Sequence, residues 1–563
     1  MKISYKEEIL ADQKISPSKI IELLLKTRNI TDSDAFFTPP SPLNFDMKDF
    51  GYSKEVKKTI EILKEIYANK RMVVVYTDYD ADGITGGAIL WETLHLLGFK
   101  VMPYVPNRHT EGYGFSTNGI DKIKKEYDPA LIISVDHGIT AKEKVTYAKS
   151  IGIPVIITDH HLKPEHIPDD AEAIFHIPQL SGSGVSYFFS KEIFNVFSVE
   201  TRLIASLRER LKHNFEHDYI SLAAIGTIAD LVPLVGPSRS IVKYGLESCI
   251  HTERRGLKQI FKEAGIEGKK ITPYEVGFII APRINAIGRL QHAMDALRLL
   301  CTTSSDKAQE LAGKMGDRNR ERQDLVKEAV AEAKEMVKKM GKIPNIITLI
   351  SDHWNEGIIG LIASKITEEN YRPTIVMTKS DGFLKASARS IPSFHITNFL
   401  RELKEQYLVD VGGHSGAAGF TIESTKLKGF IAEVQKKAGK IFTPKDLEKV
   451  VEADIKLSVS MINLSLVNSL EKLQPFGVGN PQPIFYSEVV LLDAKLFGKQ
   501  NEHLRLYVKD PEKNMYPLEI IAFGKGQLFN SLATGIKLSI VYAAEIDRWG
   551  GNEKVRGRLL QIV

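Results

Sequence analysis

The chain has 563 residues, of which 43% are hydrophobic and 26% are charged, and this composition is typical of a large globular protein with several domains. The 75 Lys and Arg residues against 70 Asp and Glu residues leave a net charge of +5, which is too small to indicate a polyanionic partner by itself. Two cysteines exclude a disulfide framework. Because MKISYKEEILADQ lacks a signal pattern and no apolar run reaches about 18 residues, we expect a cytoplasmic protein.

The chain begins with a predicted helical lead-in over residues 1–50, which ends at the proline-rich FFTPPSP (Phe36–Pro42). Over residues 51–302 strand and helix patterns alternate, and this predicts an α/β domain with a parallel sheet. Three short β-branched runs in this domain lack polar alternation, as expected of strands that are buried on both faces. They are RMVVVYT (71–77), ALIISV (130–135) and IPVIIT (153–158).

Each of these predicted strands is followed by an acid-rich segment, namely DYDADG (78–83), SVDHG (134–138) and TDHH (158–161). A fourth such segment, IADLVPL (228–234), ends a predicted helix over Ile220–Leu234. In open α/β sheets ligands collect beyond the carboxyl ends of the strands, so the side chains that follow the three strands should converge in one crevice. These side chains are Asp80, Asp82, Asp136, Asp159, His160 and His161.

Carboxylates this close together cannot all stay ionised without cations, because like charges raise each other's pKa. Carboxylate oxygens with one or two imidazoles suit Mn²⁺ or Mg²⁺. Two such ions, about 3.5–4 Å apart, would clamp the attacking and leaving oxygens of a phosphoryl displacement. A lone Asp after a strand is usually a helix N-cap, and a lone DxDxDG also fits a calcium loop, but four segments together favour phosphoester hydrolysis. Asp78 is expected to brace the ligands from behind.

The second half of the chain predicts three further parts. Apolar positions three or four apart from Ser305 to Lys339 predict one long connecting helix, within residues 303–341. A second α/β domain is expected over residues 342–445, and it contains two segments, SARS (387–390) and GGHSGAAGF (412–420), the second of which has glycines that allow close approach to phosphate. Residues 446–563 read as a linker and a small β-barrel. The barrel strands are predicted at 504–508, 519–523, 537–546 and 555–563.

The four acid-rich motifs resemble those of the DHH phosphoesterases, and further motifs narrow the resemblance to the RecJ family. These are PNRHTEGYGF (106–115), APRINAIGRL (281–290), HWNEGIIGLIASKI (353–366), SARS, GGHSGAAGF and LQPFGVGNPQPIF (473–485). The resemblance implies a 5′→3′ exonuclease that degrades single-stranded DNA to 5′-mononucleotides in recombination and repair. It also implies two divalent cations, Mn²⁺ or Mg²⁺, and an OB-fold as the C-terminal barrel.

The resemblance also implies site residues. The implied metal ligands are Asp80, Asp82, Asp136, His160 and Asp230. Asp136 would bridge the ions, and His161 would lie over the scissile phosphate, with Asp159 also in the catalytic group. The implied nucleic-acid and 5′-phosphate contacts are Arg108, Tyr113, Arg283, Arg289, Ser387, Arg389, Gly412, Gly413 and His414. The chain departs from the family pattern at His137, at Ala386 and at FHIPQ (175–179), none of which is an implied ligand.

Two other functions fit part of the pattern. A DHH phosphodiesterase that cleaves short oligoribonucleotides or (cyclic) dinucleotides would need only the first two domains. A non-catalytic replication scaffold would be expected to lack metal ligands, whereas this sequence contains them all. Further expectations are a monomer, with a helicase and a single-strand-binding protein as candidate partners.

Overall fold

The computed structural model describes residues 2–10, 15–107, 110–112, 114–200, 204–290, 292–380, 382–512, 516–548 and 551–562. These residues form two compact units. The larger unit comprises residues 5–318 and 453–562, and the smaller unit comprises residues 319–452 with residues 2–4. A search of the described residues finds no helix with the length and apolar character that a bilayer span requires.

The secondary structure alternates between strands and helices in the first two thirds of the chain and is rich in strands near the C-terminus. The strands are β1 (Lys2–Glu8), β2 (Met72–Thr77), β3 (Lys100–Tyr104), β4 (Leu131–Val135), β5 (Val155–Asp159), β6 (Ala173–His176), β7 (Ile347–Ile350), β8 (Thr374–Ser380), β9 (Phe383–Arg389), β10 (Leu408–His414), β11 (Ala417–Glu423), β12 (Val450–Lys456), β13 (Phe485–Phe497), β14 (His503–Lys509), β15 (Leu518–Ala522), β16 (Lys537–Asp547) and β17 (Lys554–Ile562). The helices are α1 (Pro17–Thr27), α2 (Ser33–Phe37), α3 (Ser53–Ala68), α4 (Ala81–Leu96), α5 (Thr117–Tyr127), α6 (Lys142–Ser150), α7 (Gly182–Glu200), α8 (Ala205–His213), α9 (Tyr219–Ala229), α10 (Gly236–Cys249), α11 (Arg255–Glu263), α12 (Ala281–Leu290), α13 (Met294–Cys301), α14 (Ser305–Lys339), α15 (Ile359–Asn370), α16 (Ile396–Arg401), α17 (Lys404–Tyr407), α18 (Leu427–Ile441) and α19 (Leu464–Glu471).

A parallel sheet with the order β3-β2-β4-β5-β6 forms the core of the larger unit. The three strands predicted from the apolar runs are confirmed as β2, β4 and β5, and β4 and β5 are buried along their whole length. Strands β3 and β6 escaped prediction because β3 (KVMPY) contains a proline and a lysine and β6 is only four residues long. All five strands are parallel, so their carboxyl ends lie along one edge of the sheet, where the acid-rich segments follow.

The N-terminal lead-in is only partly helical, which corrects the sequence expectation. Residues Lys2–Glu8 form strand β1, which lies beside β12 at the edge of the C-terminal sheet. Helix α1 follows, and its buried Ile20 and Leu24 belong to the same hydrophobic core as the C-terminal barrel strands. This strand was not predicted because KISYKEE pairs with a partner more than 440 residues away, and nothing local in the sequence indicates that pairing.

The helix expected over Ile220–Leu234 ends earlier, at Ala229. Asp230 is its C-cap residue, and Leu231 has a positive φ of 59°, which turns the chain away from the helix axis. The carboxylate of Asp230 therefore stands at a helix end and not on a helix face. By contrast, the long helix predicted from Ser305 to Lys339 is confirmed with the same bounds as α14.

The smaller unit contains a five-stranded sheet with the order β10-β11-β9-β8-β7. Strands β7 and β8 are parallel, and the remaining pairs are antiparallel. Buried residues of α15 and of the C-terminal half of α14, such as Ile362 and Ala333, form a core with β7 and β8. The expected second α/β domain is confirmed.

The C-terminal strands close into a barrel in the order β13-β14-β15-β17-β16, because β13 also pairs with β16. This confirms the predicted β-barrel, including the four strands read from the sequence. Strand β13 was missed because a register shift between Leu491 and Asp493 breaks the polar alternation of this 13-residue strand.

Candidate metal centre

The first acid-rich motif forms the start of helix α4. Asp80 is the N-cap residue, and its Oδ1 accepts hydrogen bonds of 3.0 Å from the amides of Asp82 and Gly83. Burial, followed by the charge of Asp82, raises the pKa of Asp80. The helix cap therefore fixes the carboxylate of Asp80 and leaves it close to the carboxylate of Asp82.

Asp82 is held by the N-terminus of a different helix. The amides of Gly182 and Ser183, at the start of α7, donate to its two carboxylate oxygens at 2.6 and 3.0 Å. Helix α9 also approaches closely, because a Cβ atom added at Gly226 would lie 2.3 Å from Asp82 Oδ1. Sequence reasoning did not identify Gly182, Ser183 or Gly226; the only local signal was the SGSG run at 181–184.

Asp136 follows strand β4 in a left-handed backbone conformation, with a φ of 67°. Its side chain is buried, and a Cβ atom added at Gly182 would lie 2.4 Å from Asp136 Oδ1. Burial, followed by the charges of Asp82 and Asp80, raises the pKa of Asp136 well above its usual range. A strained backbone at a functional position is a common way of aiming a side chain.

The imidazole of His160 lies among the carboxylates of Asp82, Asp136 and Asp230. Its Nε2 lies 3.1 Å from Asp136 Oδ1, 3.3 Å from Asp230 Oδ2 and 3.9 Å from Asp82 Oδ2. Burial lowers the pKa of His160, which favours the neutral ring that coordinates metals. The helix-end position of Asp230 brings its carboxylate to the same point, and burial, with the charge of Asp82, raises the pKa of Asp230 to about 8.

Asp159 and His161 form a pair beside this group. Asp159 Oδ1 lies 2.8 Å from His161 Nδ1, and its Oδ2 accepts a hydrogen bond from the amide of Ile139. Although burial opposes it, the hydrogen bond to Asp159 raises the pKa of His161 to about 9. The pairing with Asp159 therefore favours the protonated ring of His161, and the structure places Asp159 against His161 and not among the candidate ligands.

Three overlapping groups of side chains could each hold a metal ion, because the ligand atoms within each group lie within 4.8 Å of one another. These groups are Asp82, His160 and Asp230; Asp136, His160 and His161; and Asp78, Asp80 and Asp136. We refer to these seven residues as the metal centre. All five implied ligands therefore lie together as expected, and Asp78, which was expected behind them, is buried in the same place.

The donor atoms of the metal centre are of the kinds that a divalent cation prefers. The carboxylates of Asp80, Asp82, Asp136 and Asp230 lie close together. Burial and the charges of neighbouring aspartates raise the pKa values of Asp80, Asp136 and Asp230. His160 Nε2 is buried and makes no hydrogen bond within the described part of the chain. Buried like charges with an unsatisfied imidazole nitrogen are stabilised by a cation, and oxygen-rich sites of this kind suit Mn²⁺ or Mg²⁺. The residues fit the implied ions.

His137, which departs from the family pattern, packs beneath the metal centre. Its ring lies 4.9 Å from that of Tyr76 and 4.7 Å from that of Phe115, and Nε2 lies 3.0 Å from the carbonyl oxygen of Tyr76. Burial lowers the pKa of His137 to about 4. It is a neutral core residue that supports the strand end from which Asp136 projects.

The motif APRINAIGRL forms helix α12, which contacts the first acid-rich motif. Asn285 Oδ1 accepts a hydrogen bond of 2.8 Å from the amide of Ala81, between the two carboxylates of Asp80 and Asp82. Arg283 in the same helix pairs with Glu263 at 2.7 Å and donates to the carbonyl oxygen of Ile279. Its guanidinium is thus already bound to a carboxylate, which weakens the expectation that Arg283 contacts a 5′-phosphate.

In the smaller unit, Ser387 and Arg389 lie on one face of strand β9. Arg389 Nη1 donates to Ser387 Oγ at 3.0 Å and to the carbonyl oxygen of Ala388 at 2.9 Å. Both side chains face the first turn of α15, since a Cβ atom added at Gly360 would lie 3.0 Å from Arg389 Nη2 and 3.1 Å from Ser387 Oγ. Burial lowers the pKa of Arg389, and no ion pair to it is found among the described residues.

The remaining implied contacts fall in two places. Gly412, Gly413 and His414 are exposed and lie in strand β10, which pairs with β11. The turn that follows consists of Ser415 and Gly416. Arg108, Tyr113 and the side chain of Arg289 lie outside the described residues.

Comparison with protein families gives three matches along the chain. They are the DHH family N-terminal domain over residues 72–227, the DHHA1 domain over residues 343–440 and the RecJ OB domain over residues 453–560. The first match contains every residue of the metal centre except Asp230. The fold and the site therefore define an enzyme of the DHH class.

The similar proteins narrow the class further. The chain is 35% identical to the single-stranded-DNA-specific exonuclease RecJ of Bacillus subtilis over 89% of its length and spans 62% of that relative. It is 30% identical to RecJ of Escherichia coli, with 90% of this chain and 89% of the relative covered. The crystal structure of Thermus thermophilus RecJ in complex with Mn²⁺ matches 99% of the chain and 79% of the other chain, at 26% identity and a TM-score of 0.79. The chain belongs to the RecJ family.

Proposed function

We propose that this protein is a metal-dependent exonuclease that degrades single-stranded DNA from the 5′ end and releases 5′-mononucleotides. The observation that carries the proposal is the convergence of five aspartates and two histidines, all of which except Asp230 follow the carboxyl ends of parallel strands. The RecJ relatives from Bacillus subtilis and Escherichia coli are named for the same substrate, and the chain matches the RecJ OB domain, a fold that binds single strands.

The proposed ligands are Asp80, Asp82, Asp136, His160 and Asp230, and the proposed ions are two Mn²⁺ or Mg²⁺. Asp136 is proposed as the shared ligand because it belongs to two of the three ligand groups. When bound, the cations supply Lewis acidity that lowers the pKa of water and stabilises charge on the leaving oxygen. Asp78 is proposed to support Asp80 and Asp136, beside which it is buried.

His161 is proposed to act on the scissile phosphate. Its Nδ1 is held by Asp159, so the ring has a fixed orientation and carries a positive charge near neutral pH. An imidazolium in this position binds a non-bridging phosphate oxygen by a charge-assisted hydrogen bond and stabilises the charge that develops there. Asp159 is then a positioning residue for His161.

The direction of digestion is proposed to depend on a site for the 5′-phosphate that includes Ser387 and Arg389. A half-buried guanidinium that lacks a carboxylate partner in the described part of the chain is stabilised by an anion. The first turn of α15 adds the positive end of a helix dipole beside it. Arg108, Tyr113, Arg283, Arg289, Gly412, Gly413 and His414 complete the proposed nucleic-acid contacts.

A digestion assay tests this function. A 40-nucleotide single-stranded DNA carrying a 5′ label should release labelled mononucleotide at once in Mn²⁺, whereas a 3′ label should stay in long products until late. Blunt duplex DNA of the same sequence should resist digestion. Rapid cleavage of dinucleotides with inert long DNA would instead assign the chain to the small-substrate DHH phosphodiesterases.

Removal of metal gives a second test. Treatment with EDTA should abolish digestion, and added Mn²⁺ should restore it and also raise the melting temperature of the protein by mass action, since the ions bind the folded state. Added Ca²⁺, which prefers six to eight oxygen ligands in a larger site, is the control cation for stabilisation without full activity. Full activity after dialysis against EDTA would contradict the proposed metal chemistry.

We propose the domain boundaries given by the sequence: 1–50, 51–302, 303–341, 342–445 and 446–563. We also propose a cytoplasmic monomer that works with a helicase and a single-strand-binding protein. The barrel favours the long-substrate function, because a phosphodiesterase for dinucleotides needs no additional single-strand-binding domain. The complete set of metal-centre residues argues against a scaffold without activity.

A further inference from the structure

The segment LQPFGVGNPQP (Leu473–Pro483), which we call the glycine loop, lies between the C-terminal barrel and the metal centre. It precedes barrel strand β13 and packs against the chain that leaves Asp230, residues 231–235. The backbone amide of Leu234 donates to the carbonyl oxygen of Val478 at 2.7 Å. This hydrogen bond joins the loop to a residue only four positions after a proposed metal ligand.

Two glycines make this contact close. A Cβ atom added at Gly479 would lie 3.1 Å from Cβ of Pro233, and Gly479 has a φ of +75°. A Cβ atom added at Gly477 would lie 2.6 Å from Cδ1 of Leu234. The glycine loop therefore fits directly against Pro233 and Leu234. A side chain at position 479 would press on Pro233, and a side chain at position 477 would displace the Leu234 side chain.

Asn480 holds the glycine loop in shape. It is completely buried, and its Nδ2 donates to the carbonyl oxygens of Leu473 and Pro475 at 2.7 and 2.9 Å. Its Oδ1 accepts a hydrogen bond of 2.6 Å from Arg28 Nη1. At the end of the loop, the amide of Ile484 donates to Asp454 Oδ2 at 2.9 Å, and Asp454 belongs to strand β12. The loop is thus tied to the C-terminal sheet.

Arg239 holds the same loop from the opposite side. It lies in helix α10, which starts directly after the Asp230 segment, and its side chain is 1% exposed. Its Nη2 donates to the carbonyl oxygens of Leu473 and Gln474 at 3.1 and 2.9 Å, and its Nε donates to that of Phe36 at 2.7 Å. A buried guanidinium whose N–H groups donate to backbone carbonyl oxygens fixes the spacing of the segments that it joins.

We infer that the glycine loop positions the Asp230 carboxylate, so that the C-terminal barrel helps to build the metal centre as well as to bind nucleic acid. The contacts run from Asp454 to Ile484 at the end of the loop, and from Val478 and Gly479 inside the loop to Leu234 and Pro233, whose backbone leads to Asp230. Among the described residues, Asp230 shares a ligand group with Asp82 and His160, so displacement of the loop would act first on an ion held by that group. Gly477, Gly479 and Asn480 are positioning residues and do not contact substrate. This inference rests on the proposed ligands.

The test is a titration of Mn²⁺ into the chelator-treated full-length protein, followed by isothermal titration calorimetry and by electron paramagnetic resonance of free Mn²⁺. In Gly479→Ala we expect one ion to bind with wild-type affinity and the other to bind at least about tenfold more weakly, about 1.4 kcal/mol. Gly268→Ala is the matched control, because Gly268 has a similar φ of +71° but open space around its Cβ position. It should bind both ions normally.

A second pair of variants shows whether the effect passes through the contact. Gly477→Ala places a methyl group against Leu234 without positive-φ strain, and Leu234→Ala removes the atom that it meets. We expect the double variant to bind the weaker ion more tightly than the two single effects predict. If Gly479→Ala does not fold, this cycle decides the question.

The outcomes separate the inference from the proposed function. Wild-type binding of two ions, with both affinities unchanged in Gly479→Ala and Gly477→Ala, overturns the positioning role and leaves the metal ligands intact. Fewer than two ions bound by the wild type would overturn the ligand assignment and this inference with it. Selective loss of one ion in the loop variants supports both.

Discussion

The metal centre and the Arg389 region both bury charge, but the charge has opposite sign. In the metal centre, burial and then the charge of Asp82 raise the pKa values of Asp80, Asp136 and Asp230. The other members of the centre are Asp78, Asp82 and two histidines. Around Arg389, the guanidinium has hydrogen bonds to a hydroxyl and a carbonyl oxygen but no ion pair among the described residues. The first region is stabilised by cations and the second by an anion.

This difference agrees with the roles proposed for the two regions in phosphodiester hydrolysis. In that proposal, cations at the metal centre act on the scissile phosphate, whereas the Arg389 guanidinium binds a phosphate that does not react. Buried charge without a partner of opposite sign lowers the stability of the free protein. The same charge raises the affinity for a cation at the metal centre and for an anion at Arg389.

Loss of the shared carboxylate should have the largest effect. Asp136→Asn keeps the left-handed backbone that Asn tolerates, and it should lower the rate of digestion at least about 10³-fold, because a central member of a catalytic group is removed. In metal-free protein the same change should raise the melting temperature, because one buried charge is removed from a cluster of like charges.

The control for Asp136→Asn is Asp128→Asn, the same chemical change at an exposed residue that also has a positive φ, of 41°. It should leave digestion unchanged. Both variants are to be compared by release of labelled mononucleotide and by thermal melting in EDTA. A melting temperature for Asp136→Asn below that of the wild type would show that the carboxylates are not in repulsion.

Crowding at Gly226 should have the next largest effect. Gly226→Ala would normally stabilise a helix interior by about 1 kcal/mol. Here the new Cβ atom would lie 2.1 Å from Ser183 Oγ and 2.3 Å from Asp82 Oδ1. Displacement of the Asp82 carboxylate should lower the digestion rate about 10²-fold, as expected for a misplaced catalytic group, and should weaken Mn²⁺ binding.

Gly313→Ala is the matched control for Gly226→Ala, because Gly313 also lies inside a helix but has nothing within 4 Å of its Cβ position. It should raise the melting temperature slightly and leave Mn²⁺ binding unchanged. Equal effects of the two variants on metal affinity would contradict the close packing of α9 against Asp82.

Removal of the positive charge at Arg389 should have an intermediate effect on the other region. Arg389→Gln should raise KM for 5′-phosphorylated single strands about 10–100-fold, since a hydrogen bond to a charged group contributes about 1.5–3 kcal/mol. The effect on a strand with a 5′-hydroxyl should be much smaller. Binding of Mn²⁺ should not change, because Arg389 does not belong to any ligand group.

The exposed Arg401 in the same unit offers the control variant Arg401→Gln. It loses an identical charge, so a general electrostatic effect on DNA binding would appear in both variants. Steady-state kinetics with the two 5′ ends distinguish the cases. If Arg389→Gln lowers kcat and KM is the same for both ends, Arg389 is not part of a 5′-phosphate site.

The smallest effect is expected at Asn285. Asn285→Ala leaves the amide of Ala81 without its hydrogen-bond acceptor, so we expect a loss of stability of about 1 kcal/mol and a drop in digestion of about three- to tenfold. Asn345→Ala, which removes a side-chain hydrogen bond to Ala438 in the smaller unit, should cost stability without affecting the metal centre. An equal loss of activity in both variants would reduce Asn285 to a purely structural role.

Local sequence patterns were sufficient to predict several parts of this protein. Unbroken β-branched runs identified β2, β4 and β5, and apolar spacing identified α14 with both of its ends. The aspartates directly after those strands could be placed together, because parallel strands present their carboxyl ends at one edge of a sheet. Resemblance to a family then supplied Asp230, which no strand end indicated.

Features that depend on distant partners could not be predicted from local patterns, because they form only when the chain folds. Strand β1 exists because it meets β12, Asp82 is held because the start of α7 points at it, and Arg283 is paired because Glu263 lies beside it. The packing of the glycine loop against Pro233 likewise joins segments about 240 residues apart, and no local pattern encodes such a contact. Local propensity selects the elements, but long-range packing fixes which side chains meet.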